Sequence, residues 1–307
     1  MNSAYIGKLM ELAEKDSDVL HLLADSGTGY DEMFRKVFPN QIFNFGIAEE
    51  NMVAAAAGLA SVGKKPFVFT AGAFLAYRSM EFIRDDVCFQ NLNVKIVGMG
   101  SGLAWSSLGP THHTTEDIAV LRSIPNLMIL SPATPKQVME CVQVAYEHEG
   151  PVYIRIGMNH EKEFFDDEYK FNPETNDTLM DGEDIAVFST GSILEEVHRA
   201  CEQLSSEGIG VRLINVASIK PFAKEDVIKA TKECKKIVII EEHSIYGGLA
   251  GILSEINSFE GLGAKIFPIG INDAFAKGYG SQLAVRKANK LDSESIYNRL
   301  KEIINNE

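Results

Sequence analysis

The stretch IFNFGIAEENMVAAAAGLASVGKKPFVFTA, residues 42–71, decides the fold. IFNFG (42–46) and PFVFTA (66–71) are short apolar runs that read as strands. Between them NMVAAAAGLASVG has 3.6-residue periodicity and an alanine content that favours a helix running to Gly63. Two strands joined through a helix run parallel. Pro66 opens the second strand, where a missing N–H is tolerated. Working outward, VLHLLAD (19–25), VKIVGMG (94–100), LMILSPA (127–133) and PVYIRIG (151–157) read as further strands. They alternate with the helical patterns FLAYRSMEFIRDDV, TEDIAVLRSI and KQVMECVQVAYEH. Continuous apolar strands alternating with helices predict a parallel sheet covered on both faces.

From Asn159 to Gly182 the chain turns polar, acidic and aperiodic, which suits a surface connector. A second alternation follows: IAVFSTG, ILEEVHRACEQLSSEG, VRLINVASI, KEDVIKATKEC, KIVIIEE, GGLAGILSEINSF, AKIFPIGI and a closing helix SESIYNRLKEIINN. The expected fold class is therefore α/β, with two doubly wound domains built on mainly parallel sheets. The expected boundaries are 1–160 for the first domain, 161–182 for the linker and 183–307 for the second.

Composition narrows the function. The hydrophobic fraction is 45% and the charged fraction 23%, which exclude a disordered or collagen-like chain. The net charge of −14 disfavours long-range attraction to nucleic acid or an anionic membrane, although one or two arginines suffice for a local phosphate site. Cys88, Cys141, Cys201 and Cys234 form no CxxC pair and read as reduced thiols of a cytoplasmic protein. The acid-containing N-terminus does not read as a signal peptide, and no apolar run of about 18 residues suggests a membrane span.

Three segments carry candidate chemistry. Glu49 and Glu50 fall in the first turn of the alanine-rich helix, where the helix dipole favours carboxylates. Capping alone explains them, but a carboxylate beyond the carboxyl end of a parallel strand also lies where α/β folds bind ligands. In WSSLGPTHHTTEDIAVLRSIPN (105–126) a Gly109–Pro110 turn leads to His112 and His113. Neighbouring side chains diverge, so one of the two is expected to face a pocket, and no acidic or cysteine ligand is spaced for a metal. Arg155 sits inside the apolar strand PVYIRIGM. A buried arginine needs a partner, so it either neutralises an internal carboxylate or reaches a pocket to bind an anion. Phe67, Phe69, Phe74 and Tyr77 cluster around the end of the third strand, and core packing is the expectation for most of them. No GxGxxG, GxxxxGK[ST] or HExxH occurs, nor GDG with a downstream Asn.

The runs GIAEENMVAAAAGLA, GPTHHTTEDIAVLRSIPNLMILSPATPKQV and GPVYIRIG resemble the pyrimidine-binding half of the transketolase family. VFSTGSILEEV, NVASIKPF and VIIEEHSIYGGLAGIL look like its C-terminal domain. The resemblance covers essentially the whole chain and implies the C-terminal subunit of a split enzyme. That enzyme depends on thiamine diphosphate and Mg2+, the metal being bound mainly by an N-terminal partner subunit. It implies a heterotetramer of two copies of each chain, acting on sugar phosphates. It also implies that Glu49 contacts N1′ of the aminopyrimidine, favouring the imino form that deprotonates the thiazolium. By the same resemblance His112 contacts donor hydroxyls, Arg155 binds a substrate phosphate, Phe74 stacks on the pyrimidine with Tyr77 one turn later, and Asp25 lies near the cofactor. The chain departs from the family at Leu108, where an Asp usually reads a substrate hydroxyl, and at Ala71, where an aromatic is missing, so that Phe69 or Phe74 serves the pyrimidine sandwich. The alternatives are a 1-deoxyxylulose-5-phosphate-synthase-like donor preference, a 2-oxo acid dehydrogenase β-type subunit, or a non-catalytic assembly subunit.

Overall fold

A computed structural model describes residues 1–25, 29–158 and 161–305, with Tyr30 described by its backbone alone. Ser26 and Gly27 of the LLADSG loop, the first connector residues 159–160 and the last residue of SESIYNRLKEIINN lie outside the described residues.

The first half runs α1 (Asn2–Lys15), β1 (Val19–Leu23), α2 (Gly29–Val37), β2 (Ile42–Asn44), α3 (Glu49–Ser61) and β3 (Lys65–Ala71). It continues through α4 (Gly72–Arg78), α5 (Met80–Phe82), a π-helical turn (Ile83–Cys88), β4 (Lys95–Met99), α6 (Asp117–Leu121), β5 (Met128–Leu130), α7 (Pro135–Glu147) and β6 (Val152–Ile156). The second half runs β7 (Asp177–Met180), β8 (Ile185–Thr190), α8 (Leu194–Ser206), β9 (Val211–Asn215) and β10 (Ser218–Lys220). It ends with α9 (Lys224–Glu233), β11 (Ile237–Ser244), α10 (Leu249–Phe259), β12 (Ile266–Ile271), α11 (Gln282–Ala288) and α12 (Ser293–Asn305).

The strands form two sheets, ordered β10-β5-β6-β4-β3-β1-β2 and β12-β11-β8-β9-β7. Every described pairing is parallel except those of the edge strands β10 and β7. Helices cover both faces, which is why the central strands are mostly apolar. On β3, Phe67 and Phe69 point toward α1 and α7, while Val68 points toward α3. The α3 face continues without a break into the second half, where Ala186, Phe188 and Ile239 join the same apolar cluster. The far side of the second sheet packs on α8 and α12.

Two boundaries differ from the sequence expectation. β7 lies inside the expected linker and pairs antiparallel with β9, so the connector ends as an edge strand. VRLINVASI divides: its first part is β9 of the second sheet, and its end is β10, which crosses to pair with β5 of the first. The cause is local, because Val216 and Ala217 between the two strands are buried at the seam. All four cysteines are free and buried. No helix among the described residues is long and apolar enough to cross a membrane.

A buried polar cluster ties the halves together. Glu242 of β11 pairs with Arg286 of α11 and accepts from the Leu103 N–H at 3.4 Å and the Ser192 hydroxyl at 3.3 Å. Gly102 approaches it at a φ of +62°, and a Cβ there would lie 2.5 Å from the Glu242 carboxylate. Gly102→Ala is therefore expected to destabilise the chain by about 1–3 kcal/mol through overpacking and an unfavourable backbone region. Denaturant unfolding checks this, with Gly58→Ala, in open space inside α3, as the control expected to leave stability unchanged or raised.

Candidate functional site

From β1 the strand order leaves in two directions, to β2 on one side and to β3, β4 and β6 on the other. Such a switch point opens a crevice outside the carboxyl ends of the strands, here those of β1 and β3. At the first end lies Asp25, exposed and at a φ of +48°, with its N–H bonded to the Asn44 side-chain oxygen at 3.2 Å. The same oxygen accepts from the Gly46 N–H at 2.9 Å, fixing the turn that delivers the chain into α3. Gly46 has a φ of +68°, which its missing Cβ permits.

Glu49 is the first residue of α3 and its side chain is 1% exposed. Burying a carboxylate requires a partner. Arg78, the last residue of α4, supplies one, with Nη1 2.7 Å from Glu49 Oε2. The Arg78 guanidinium also lies over the Phe74 ring, 5.2 Å from its centroid, as the i,i+4 spacing on α4 allows. Phe74 in turn meets the His112 ring edge-on at 4.9 Å, and Trp105 stands 6.3 Å from His112 on another side. The result is a chain of groups, Glu49–Arg78–Phe74–His112–Trp105, drawn from the segments that follow β2, β3 and β4.

The loop carrying His112 is held from three directions. Gly102 and Thr114 form an antiparallel bridge across its base, and the Trp105 indole N–H donates to the Met99 carbonyl at 3.4 Å. Ser106 donates to the Gly280 carbonyl at 2.8 Å, and Gly109 lies against the Tyr279 ring, so the second domain braces the turn. His112 and His113 both donate backbone N–H bonds to Gly109, yet their side chains part. His112 is half-buried near Phe74, whereas His113 is buried and neither ring nitrogen has a hydrogen-bond partner among the described residues. Burial lowers the pKa of His113. Leu108 is 47% exposed at the tip of the same loop.

Several expected roles change. Phe69 does not reach the crevice: it is fully buried on the α1 face and stacks on Tyr5 at 4.9 Å, because strand parity turns it away from α3. Tyr77 is anchored elsewhere, donating its hydroxyl to Glu116 Oε2 at 2.8 Å and accepting the Glu116 N–H at 3.0 Å. Burial, aided by Asp117 and Glu116, raises its pKa. Arg155 resolves in favour of the internal carboxylate. Its Nε lies 2.9 Å from Asp117 Oδ2, and Nη2 donates to the carbonyls of Thr114 and Glu242, each at 3.0 Å. With 2% exposure and with Nε and Nη2 bonded inside the fold, it is committed to the internal carboxylate rather than offered to a substrate phosphate. Sequence reasoning missed Arg78 and Asp117. The i,i+4 spacing of Phe74 and Arg78 is the readable signal for the former, while the Asp117 pairing has no local signature.

The family "Transketolase, pyrimidine binding domain" matches residues 1–159, and "Transketolase, C-terminal domain" matches residues 176–296. A subunit of the apulose-4-phosphate transketolase of Actinobacillus succinogenes is 35% identical, over 95% of this chain and 94% of that protein. A 1-deoxy-D-xylulose-5-phosphate synthase of Halothermothrix orenii is 33% identical over 87% of this chain, which corresponds to 42% of that protein. A solved split-gene transketolase, described as an inactive beta4 tetramer, superposes with a TM-score of 0.88 at 32% identity, over 99% of this chain and 97% of that one.

The buried pair of Arg155 and Asp117 separates a structural role from ligand binding. Removing one partner strands the other charge, so Arg155→Ala and Asp117→Asn are each expected to lower unfolding stability by about 3–5 kcal/mol. A substrate-binding arginine would instead leave stability nearly unchanged and raise KM, and denaturant unfolding followed by steady-state kinetics tells the two apart.

Proposed function

The chain belongs to the transketolase family, and on that premise we propose that it is the C-terminal subunit of a split transketolase dependent on thiamine diphosphate. The proposed reaction moves a two-carbon ketol unit from a phosphorylated ketose to an aldehyde. The observation that carries this reading is Glu49, a buried carboxylate joined through Arg78 to the Phe74 face at the switch point of a parallel sheet. That pair suits a flat heteroaromatic ring with an N–H edge, which the aminopyrimidine presents at N1′ in its protonated or imino form. When bound, thiamine diphosphate supplies the carbanion-stabilising chemistry that ketol transfer requires.

The chain's own residues have separate tasks in this reading. Glu49 accepts a hydrogen bond from a protonated ring nitrogen and, being buried, holds that contact in a low-dielectric setting. Phe74 offers the ring face, and Asp25 lines the opposite lip of the crevice beyond β1. His112, fixed by the braced loop, addresses donor hydroxyls. The diphosphate and Mg2+ are assigned to an N-terminal partner. Among the described residues no group of three His, Cys, Asp or Glu side chains could hold a metal ion.

A partner is also favoured by the surface. Phe43 on the edge strand β2 and Ile47 and Leu108 on loops at this end of the sheet are exposed large apolar residues, which suits a face covered by another chain. The proposed assembly is a heterotetramer of two copies of each chain; the β4 state of the split-gene relative supports self-association of the C-terminal subunit. Free buried cysteines suit the cytoplasm proposed as its location.

Two measurements test the reading. In the complex with its partner, Glu49→Gln is expected to cut turnover by roughly a hundredfold or more, the scale of lost proton-transfer catalysis. Unchanged turnover, or submicromolar thiamine diphosphate binding by this chain alone in calorimetry, would leave a non-catalytic assembly subunit or an unsplit site instead. The Leu108 position addresses donor choice. Leu108→Asp is expected to shift relative kcat/KM toward ketoses bearing the facing hydroxyl by about tenfold to a hundredfold, since a hydrogen bond to a charged group is worth about 1.5–3 kcal/mol. Equal losses for all donors would mean that Leu108 only packs the channel wall.

A further inference from the structure

We infer that the Arg78 guanidinium is an internal stand-in for the aminopyrimidine ring, occupying its two contacts in the cofactor-free subunit and leaving Glu49 when the cofactor loads. The inference rests on the cofactor assignment proposed above and adds a residue with a defined competing role.

Two contacts define the place. Arg78 Nη1 donates to Glu49 Oε2 at 2.7 Å, and its guanidinium lies over Phe74, 5.2 Å from the ring centroid. One is an N–H on the buried carboxylate, and the other is a planar π system on the aromatic face. These are the two interactions a flat ring with an N–H edge would make at the same residues. A guanidinium is suited to both, being planar, cationic and a fixed-geometry donor. A lysine could reach the carboxylate but could not stack in this manner.

The exposures explain why such an occupant is needed and why it can leave. Glu49 is 1% exposed, so without a partner its carboxylate would be buried and unpaired, which is costly. Arg78 is 41% exposed, so its head can turn into solvent and be rehydrated there. It is also the last residue of α4, where a cation is favoured by the helix dipole whichever way its side chain points. Leaving therefore removes the contact with Glu49 without removing the reason for a cation at that position. Because the guanidinium and the ring claim the same oxygen and the same face, the fraction of subunits with Arg78 seated lowers the apparent cofactor affinity. The free subunit thereby keeps its carboxylate neutralised until a complete site is assembled.

The experiment is a calorimetric titration of thiamine diphosphate, with Mg2+ present, into the complex of this chain and its N-terminal partner. Arg78→Ala is expected to tighten binding by about tenfold, the scale of relieving a competing occupant. Arg78→Lys is expected to fall between, and Arg78→Ala added to Glu49→Gln is expected to give no gain over Glu49→Gln alone. In unfolding of this chain by itself, the two single substitutions are expected to be non-additive in a double-mutant cycle. Equal or weaker cofactor binding by Arg78→Ala, or additive effects on stability, would overturn the stand-in role while leaving the functional reading intact. Failure of the unsubstituted complex to bind the cofactor would overturn the functional reading and this inference with it.

Discussion

The buried guanidinium of Arg155 is the constraint on which the rest of the molecule depends. It arises from a central strand, β6, and its charge is met by Asp117 at the start of α6. Tyr153, two residues earlier on the same strand, donates to the same carboxylate at 2.8 Å. The remaining guanidinium bonds go to a carbonyl of the His112 loop and a carbonyl of β11. One side chain thus sets the height of α6, closes the base of the loop and docks the second domain. Unpaired, it would be among the costliest groups in the chain, so these three placements are not independent.

Above that joint, the crevice is built by short-range geometry at strand ends. β2 delivers Glu49 through a glycine turn, and β3 passes directly into α4, so that Phe74 and Arg78 share a face one turn apart. The close approach of α4 to β4 requires Gly72 and Gly98: a Cβ on Gly98 would lie 3.1 Å from the Gly72 Cα. The site residues of the first domain are therefore held by backbone packing, while the loop with His112 and Leu108 is held by the second domain through Ser106, Gly109 and Tyr279. Each domain contributes one wall's rigidity to the same opening.

The legible parts of this design are those with a local period. Apolar strands alternating with helices carried the two-domain α/β architecture, and the position of Glu49 after a strand and a glycine turn carried the candidate carboxylate. Phe69 shows the limit of such reading. Alternation places Phe67 and Phe69 on one face of β3, but which face looks toward the crevice depends on how α1 and α3 divide the sheet. The same holds for VRLINVASI, an unbroken apolar run whose last residues change sheets because two buried residues must turn through the seam.

What the sequence determined by itself was the alternation of strands and helices, the mainly parallel sheets this implies and the chemistry available at the strand ends, because periodicity and turn residues act over a few positions. What only the tertiary structure decided was the pairing of charges. Arg155 is 38 residues from Asp117, and Glu49 is 29 from Arg78. Over such separations no spacing rule selects a partner. Buried charges find one another because each would otherwise remain desolvated and alone, and that selection is made only when the sheet and its helices have brought the strand ends together.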